Sequence, residues 1–350
     1  MVRDFDLLAE LTETSGAPGY ESRIRDIVRR ELEGVADEIR TDSMGNVVGT
    51  IRGSENPEYE VAVAAHMDEI GFMVRHVTDE GFLQVDALGG WDPRILRAKR
   101  VTVHTEEGDL PGVIGSPPPH TLDEEDIEES DEVQDIYIDM GLDGADVAEA
   151  VSKGDIVTMD QTTDRVGSMV TGKSMDDRVC LYAMLRAAAA IEPPVTVHFA
   201  ATVQEEVGLR GAHALGVDLD PDLAIALDVT VANDVPQIDS EADYVTELGD
   251  GAAIKLKDSS VITNPKVHKR LRTVAETNDI PYQLEVLPQG GTDTAGFQNT
   301  AGAKPVGALS VPTRYLHTTT EMADEDDVAA VVDLLVAFLE SESGDHDYTL

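Results

Sequence analysis

The chain has a single cysteine, Cys180, in 350 residues. One thiol excludes an intrachain disulfide and any zinc site built from several cysteines. Aromatic residues make up 4% of the sequence, with one tryptophan, while hydrophobic residues make up 41%. The core is therefore expected to be built from Val, Ala, Leu and Ile. No apolar run approaches the roughly 20 residues of a membrane span. The longest, residues 328–339, contains Asp333 and reads as an amphipathic helix. Met1-Val2-Arg3-Asp4-Phe5-Asp6 leads into no apolar segment, so no export signal is expected. A soluble, reduced, cytoplasmic protein is the expectation.

Lysine is scarce. Eight Lys and eighteen Arg stand against 69 acidic residues, for a formal net charge of −43. Such a chain repels itself at low ionic strength. In molar salt the Debye length falls to roughly 3 Å and the repulsion is screened. The acidic residues are spread through the chain rather than gathered in a tail. This reads as a halophilic protein from a salt-rich cytoplasm, and neither nucleic acid nor an anionic membrane is an expected partner.

What is present is an alternation of strands and helices. Residues 47–51, 61–65, 195–203, 223–227, 282–286 and 306–311 read as strands, several as continuous apolar runs. Residues 5–11, 21–32, 177–190, 265–277 and 324–339 read as helices. This pattern predicts an α/β fold, a mostly parallel sheet flanked by helices. Between residues 74 and 166 the texture changes to short β-prone pieces separated by Gly and Pro turns, as in Gly89-Gly90-Trp91-Asp92-Pro93. That stretch reads as a β-barrel-like insertion. Within it, eight of the ten residues 123–132 are acidic, a solvated loop. The expected organisation is residues 1–73 and 167–350 as the two parts of one catalytic domain and 74–166 as the insertion.

Residues with metal-binding chemistry recur at element ends. His66 and Asp68 stand two apart at a strand terminus, so their side chains leave one face. Asp176-Asp177 opens a helix. Glu205-Glu206 follows a strand, with Gly208 supplying a turn. Asp228 ends another strand, and His317 follows the last. Each has an ordinary structural reading: a helix cap, surface charges, a turn residue, a loop histidine. Five at successive element ends favour a shared site beyond the carboxyl edge of the sheet. Two imidazoles with several carboxylates suit Zn, Co or Mn rather than Ca or Mg. An aspartate able to bridge suits two ions about 3.5–4 Å apart.

The chain resembles the tetrahedral (TET) aminopeptidases, metallopeptidase family M42, over nearly its whole length. The resemblance is carried by Ala65-His66-Met67-Asp68-Glu69-Ile70-Gly71-Phe72 and by Gln204-Glu205-Glu206-Val207-Gly208-Leu209-Arg210-Gly211-Ala212. Asp42-Ser43-Met44-Gly45-Asn46, Gly89-Gly90-Trp91-Asp92-Pro93-Arg94, Gly290-Gly291-Thr292-Asp293 and Pro312-Thr313-Arg314-Tyr315-Leu316-His317 add shorter matches. The resemblance implies a zinc-peptidase-like fold whose β-rich insertion is a dimerisation domain. It implies an aminopeptidase acting on short peptides, with two divalent metal ions (zinc first, cobalt or manganese as alternatives) and metal-activated water as nucleophile. His66 and Asp228 would bind one ion, Glu206 and His317 the other, and Asp176 would bridge them through a residue pair whose peptide is cis. Glu205 would be the general base, and Asp68 would orient His66. A homododecamer built from dimers is also implied. One position departs from the family pattern. Asp176-Asp177-Arg178-Val179-Cys180 has Cys where the family has Gly, a small buriable residue that the helix is expected to tolerate.

Hydrolysis of N-acyl amino acids fits the same metal chemistry, but the insertion of related enzymes follows the Glu-Glu motif instead of preceding Asp176. Glycan hydrolysis needs two opposed carboxylates and no metal. A non-enzymatic acidic assembly protein predicts no stoichiometric metal.

Overall fold

The computed structural model describes residues 2–118, 120 and 132–350, so residues 123–131 of the acidic run lie outside the described residues. The apolar runs become strands of two sheets. β1 (Glu38–Thr41), β2 (Val47–Ile51) and β3 (Asn56–His66) enter the larger one. β4 (Gly71–Val77), β5 (Phe82–Leu88), β6 (Lys99–Thr105), β7 (Gly108–Ile114), β8 (Tyr137–Asp139) and β9 (Ile156–Met159) close into a barrel in the order β4-β5-β8-β7-β6-β9. The chain then returns to the large sheet with β10 (Asp164–Val166), β11 (Met169–Gly172), β12 (Val195–Thr202) and β13 (Leu223–Val231). β14 (Ala252–Lys257), β15 (Tyr282–Val286), β16 (Val306–Arg314) and β17 (Glu321–Asp324) complete it.

Among the described residues the α-helices are α1 (Phe5–Glu13), α2 (Ser22–Leu32), α3 (Gly144–Ala150), α4 (Met175–Ala188), α5 (Arg210–Asp218), α6 (Pro265–Thr277), α7 (Asp293–Gln298) and α8 (Glu325–Glu340). None is long and apolar enough to cross a membrane, among the described residues.

The large sheet runs β1-β2-β12-β3-β13-β16-β17-β11-β10, with β14 beside β16 and β15 beside β14. It is mixed, which corrects the expectation of a mostly parallel sheet. The pairs β12–β3, β3–β13, β13–β16 and β14–β15 are parallel. The pairs β1–β2, β2–β12, β10–β11, β11–β17, β14–β16 and β16–β17 are antiparallel. The physical reason is connection length. Parallel neighbours need a crossover, whereas antiparallel ones close through short turns. The central strands are reached through helices; β1–β2 and β10–β11 are tight hairpins.

One face of the sheet packs against α1, α2, α4, α6 and α8 around a core of Leu, Val, Ile and Phe. α4 is the innermost of these, with twelve of its fourteen residues buried, Cys180 among them. The Gly-to-Cys departure is thus absorbed in the core, with the thiol beside Asp177. The opposite face is lined by Ala62, Ala64, Ala200 and Ala224, small enough for the short helices α5 and α7 to approach. Those two helices touch so closely that a Cβ on Gly296 would lie 2.7 Å from that of Ala212.

This alanine face sets up the site. Ala64 of β3 lies between Ala200 of β12 and Ala226 of β13. His66 and Asp228, two residues further along, therefore project from the same face of adjacent strands. His66 sits opposite Thr202, and Asp228 opposite Ser310.

The barrel has its own core, including Phe72, Val74, Leu83, Val85, Val101 and Ile138. It docks on the α/β body through Arg23–Asp109 at 2.6 Å, Ser15–Thr158 at 2.9 Å and Lys99–Thr319 at 2.7 Å. The lone Trp91 stacks on Phe72 at 4.9 Å and donates its indole N–H to the Gly71 carbonyl at 2.9 Å.

Candidate active site

Local chain geometry brings the candidate residues to one point. His66 is the last residue of β3. Past β12 the chain turns sharply, with Gln204 at φ 55° and Gly208 at φ 118°. That turn is what lets the consecutive Glu205 and Glu206 serve one centre, since on a straight strand they would point apart. The Asp176–Asp177 peptide at the start of α4 is cis. Asp228 does not end its strand, as the sequence suggested, but lies inside β13, which continues to Val231. His317 follows β16 with a left-handed backbone, φ 59°.

Asp176 is the hub. Its Oδ1 lies 3.1 Å from His66 Nε2, and its Oδ2 lies 3.3 Å from His317 Nε2. Glu206 reaches the same His317 nitrogen at 3.9 Å. Ligand atoms of His66, Asp176 and Glu206 fall within 4.8 Å of one another, as do those of His66, Asp177 and Asp228. The structure thus brings together all five sequence-predicted metal-site residues and adds Asp177, whose Oδ2 accepts the His66 backbone N–H at 3.2 Å.

Each imidazole is aimed through its other nitrogen. His66 Nδ1 donates to the Asp68 carbonyl at 3.1 Å, with the Asp68 carboxylate at 3.6 Å. That carboxylate instead accepts the backbone N–H groups of Glu205 (3.0 Å) and Glu206 (3.1 Å). Asp68 therefore touches both the histidine and the Glu-Glu turn. His317 Nδ1 donates to the Gly90 carbonyl at 2.7 Å, a contact made by the barrel. Such contacts orient the rings and turn each Nε2 toward Asp176. The barrel loop comes so close that a Cβ on Gly90 would sit 3.2 Å from the His317 ring. Glu69 buttresses the opposite side, accepting from Gly16 N–H (3.0 Å), Lys173 (2.5 Å) and Ser174 (2.6 Å), all buried.

The electrostatics are one-sided. Burial, reinforced by Asp176, pushes Glu206 up to about 8. Burial and neighbouring carboxylates raise Asp177, Glu205 and Asp228 well above the usual carboxylate range. Burial is the largest single influence and would lower the imidazoles, but hydrogen bonding to Asp176 together with the other neighbouring acceptors and carboxylates outweighs it; His66 rises well above its ordinary value and His317 to about 10. Asp176 is held low, because the two histidines outweigh its burial. At an effective dielectric of about 20, two like charges about 4 Å apart repel by about 4 kcal/mol. Carboxylates so far in excess of imidazoles favour a cation among them. The donors are imidazole nitrogen and carboxylate oxygen, the set that suits a borderline divalent ion. These residues fit a metal site.

Sequence reading missed Asp177 as a member, the Gly90 carbonyl, and Glu321. The first was signalled by its own neighbour in Asp176-Asp177. Gly90 lies in the Gly89-Gly90-Trp91-Asp92-Pro93-Arg94 stretch, though nothing there points to its carbonyl, and Glu321 carries no local signal.

A model of the family described as M42 glutamyl aminopeptidase matches residues 45–334. Lysyl aminopeptidase of Pyrococcus furiosus is 36% identical over 345 residues, covering 96% of this chain and 97% of that one. The structure of an aminopeptidase from the archaeon Desulfurococcus kamchatkensis superimposes with a TM-score of 0.92 at 36% identity, covering 96% of this chain and 94% of that one. The TET1 peptidase of Pyrococcus horikoshii, described as assembling into a tetrahedron or a large octahedral shell, gives 0.86 at 33% identity, over 97% and 99% of the two chains. Likeness of this extent, in sequence and in fold, makes the chain a member of the M42 family of aminopeptidases, which are peptide hydrolases.

Proposed function

We propose that the chain is a two-metal aminopeptidase that removes N-terminal residues from short peptides. The observation that carries this reading is the orientation of Asp176, which turns one oxygen to His66 and the other to His317. His66 and Asp228 would hold one divalent ion and Glu206 and His317 the other, with Asp176 shared. Zinc is the first expectation, and cobalt or manganese the alternatives. When bound, such ions supply Lewis acidity toward the scissile carbonyl and lower the pKa of water.

The protein's own groups supply the rest. Glu205 takes a proton from the attacking water on its carboxylate and passes it to the leaving nitrogen. Asp68 holds the backbone of the Glu205-Glu206 turn, so that the base and the neighbouring ligand move together. The surplus of carboxylates favours a peptide with a free, cationic N-terminus over a blocked one.

Leucyl, lysyl and glutamyl p-nitroanilides and unblocked short peptides are expected to be cleaved one residue at a time. N-acetylated versions of the same peptides are expected to be inert. Equal rates on blocked and free peptides, measured by chromatography of the products, would overturn the aminopeptidase reading.

The wider arrangement follows from the family likeness and the charge. Residues 1–73 and 167–350 would form the catalytic domain, and the barrel within 74–166 a dimerisation domain from which a homododecamer is built. With a net charge of −43 the assembly needs screening. The protein is proposed to work in a salt-rich cytoplasm. Transfer from molar salt to about 0.1 M, where the Debye length is about 10 Å, is expected to dissociate or inactivate it. Light scattering and activity in the two buffers test this; unchanged size and rate would count against a halophilic protein.

A further inference from the structure

Glu321 is the first residue of β17 and is 2% exposed. Its two carboxylate oxygens accept two backbone N–H groups, one four residues away and the other 145 residues away. Oε1 takes the His317 N–H at 2.7 Å, and Oε2 takes the Asp176 N–H at 3.1 Å. β17 is well placed for this. It lies between β16, which leads to His317, and β11, which leads through Lys173 and Ser174 to Asp176. Glu321 itself pairs with Gly172 of β11. The arrangement repeats, on the other side of the cluster, what Asp68 does for Glu205 and Glu206.

We propose that Glu321 is a positioning residue, a two-amide clamp that sets the spacing of the Asp176 and His317 side chains. This rests on the reading of those residues as metal ligands. His317 stands in an irregular loop with a left-handed backbone, so no ladder of sheet hydrogen bonds holds its amide. Asp176 likewise has non-helical dihedrals at the start of α4. Both residues are therefore placed by side-chain contacts, and among the described residues Glu321 is the one side chain that accepts from the backbone N–H of both. Only a carboxylate can do so with two acceptors; a glutamine of the same shape has one acceptor and turns an NH2 group toward the second N–H.

The test uses chelator-stripped full-length protein titrated with Co(II), read by calorimetry and by the visible Co(II) absorption bands. Wild type is expected to take up the ion. Glu321→Gln is expected to bind about 10–100-fold more weakly, the usual scale for groups that orient ligands, with altered bands. Its kcat is expected to fall by a similar factor with little change in KM. Glu321→Asp keeps the charge and both acceptors but withdraws them by one methylene, and is expected to show a smaller loss of the same kind. A role confined to packing would lower the melting temperature while leaving the isotherm and bands unchanged. A wild-type isotherm in either folded variant overturns the clamp alone. Failure of the wild type to take up any ion overturns the metal reading, and the clamp with it.

Discussion

Glu205→Gln is expected to retain its divalent ions and to lose peptide hydrolysis by about 10²–10⁴-fold, the range contributed by a positioned general base. The substitution keeps size and shape and removes the group that accepts the proton. The hydrogen bond from the residue 205 amide to Asp68 is made by the backbone and survives it. Glu206, the neighbouring proposed ligand, has its own amide bond to Asp68 and is left in place. The loss should therefore fall on kcat, with metal content unchanged. Metal analysis by mass spectrometry beside turnover of leucyl p-nitroanilide checks both halves. Wild-type turnover in this variant would remove Glu205 from its role, and loss of metal would show that it acts as a ligand instead.

Removal of the ions is the second large effect. Prolonged dialysis against a chelator in molar salt is expected to abolish activity, and zinc, cobalt or manganese to restore it. Stability should fall at the same time. An ion at about 100 times its dissociation constant stabilises the folded state by about 2.7 kcal/mol at a single site. Without it, Asp177, Glu205, Glu206 and Asp228 are left buried beside one another, and burial already opposes their ionisation. The melting temperature should drop on chelation and recover with the ion but not with added monovalent salt. Full activity in protein shown to be metal-free would end the two-metal reading and restore the case for a metal-independent hydrolase.

Much of this site was legible in the chain because its chemistry is local. His66-x-Asp68, Asp176-Asp177 and Glu205-Glu206 with Gly208 are short patterns whose meaning depends on periodicity and turn formation within a few residues. The helices were legible for the same reason, as were the buried central strands. The direction of strand pairing was not. A run such as Val195–Thr202 buries both faces whether its neighbour is β3, parallel, or β2, antiparallel. Nothing in its composition tells the two apart, and the expected mostly parallel sheet proved mixed.

Asp68 illustrates a middle case. Its closeness to His66 was readable from spacing, and the structure adds that its carboxylate serves the amides of Glu205 and Glu206, more than 130 residues away. The sequence by itself determined which residue types are available for the chemistry and roughly which element ends carry them, since ligand character and local turns are properties of neighbouring residues. Tertiary structure alone decided how those residues are aimed. The Gly90 carbonyl on His317 spans 227 positions, and the Glu321 carboxylate on Asp176 spans 145. Contacts of that separation depend on how the barrel docks and how β16, β17 and β11 pair, which the packing of the whole chain settles and no local pattern encodes.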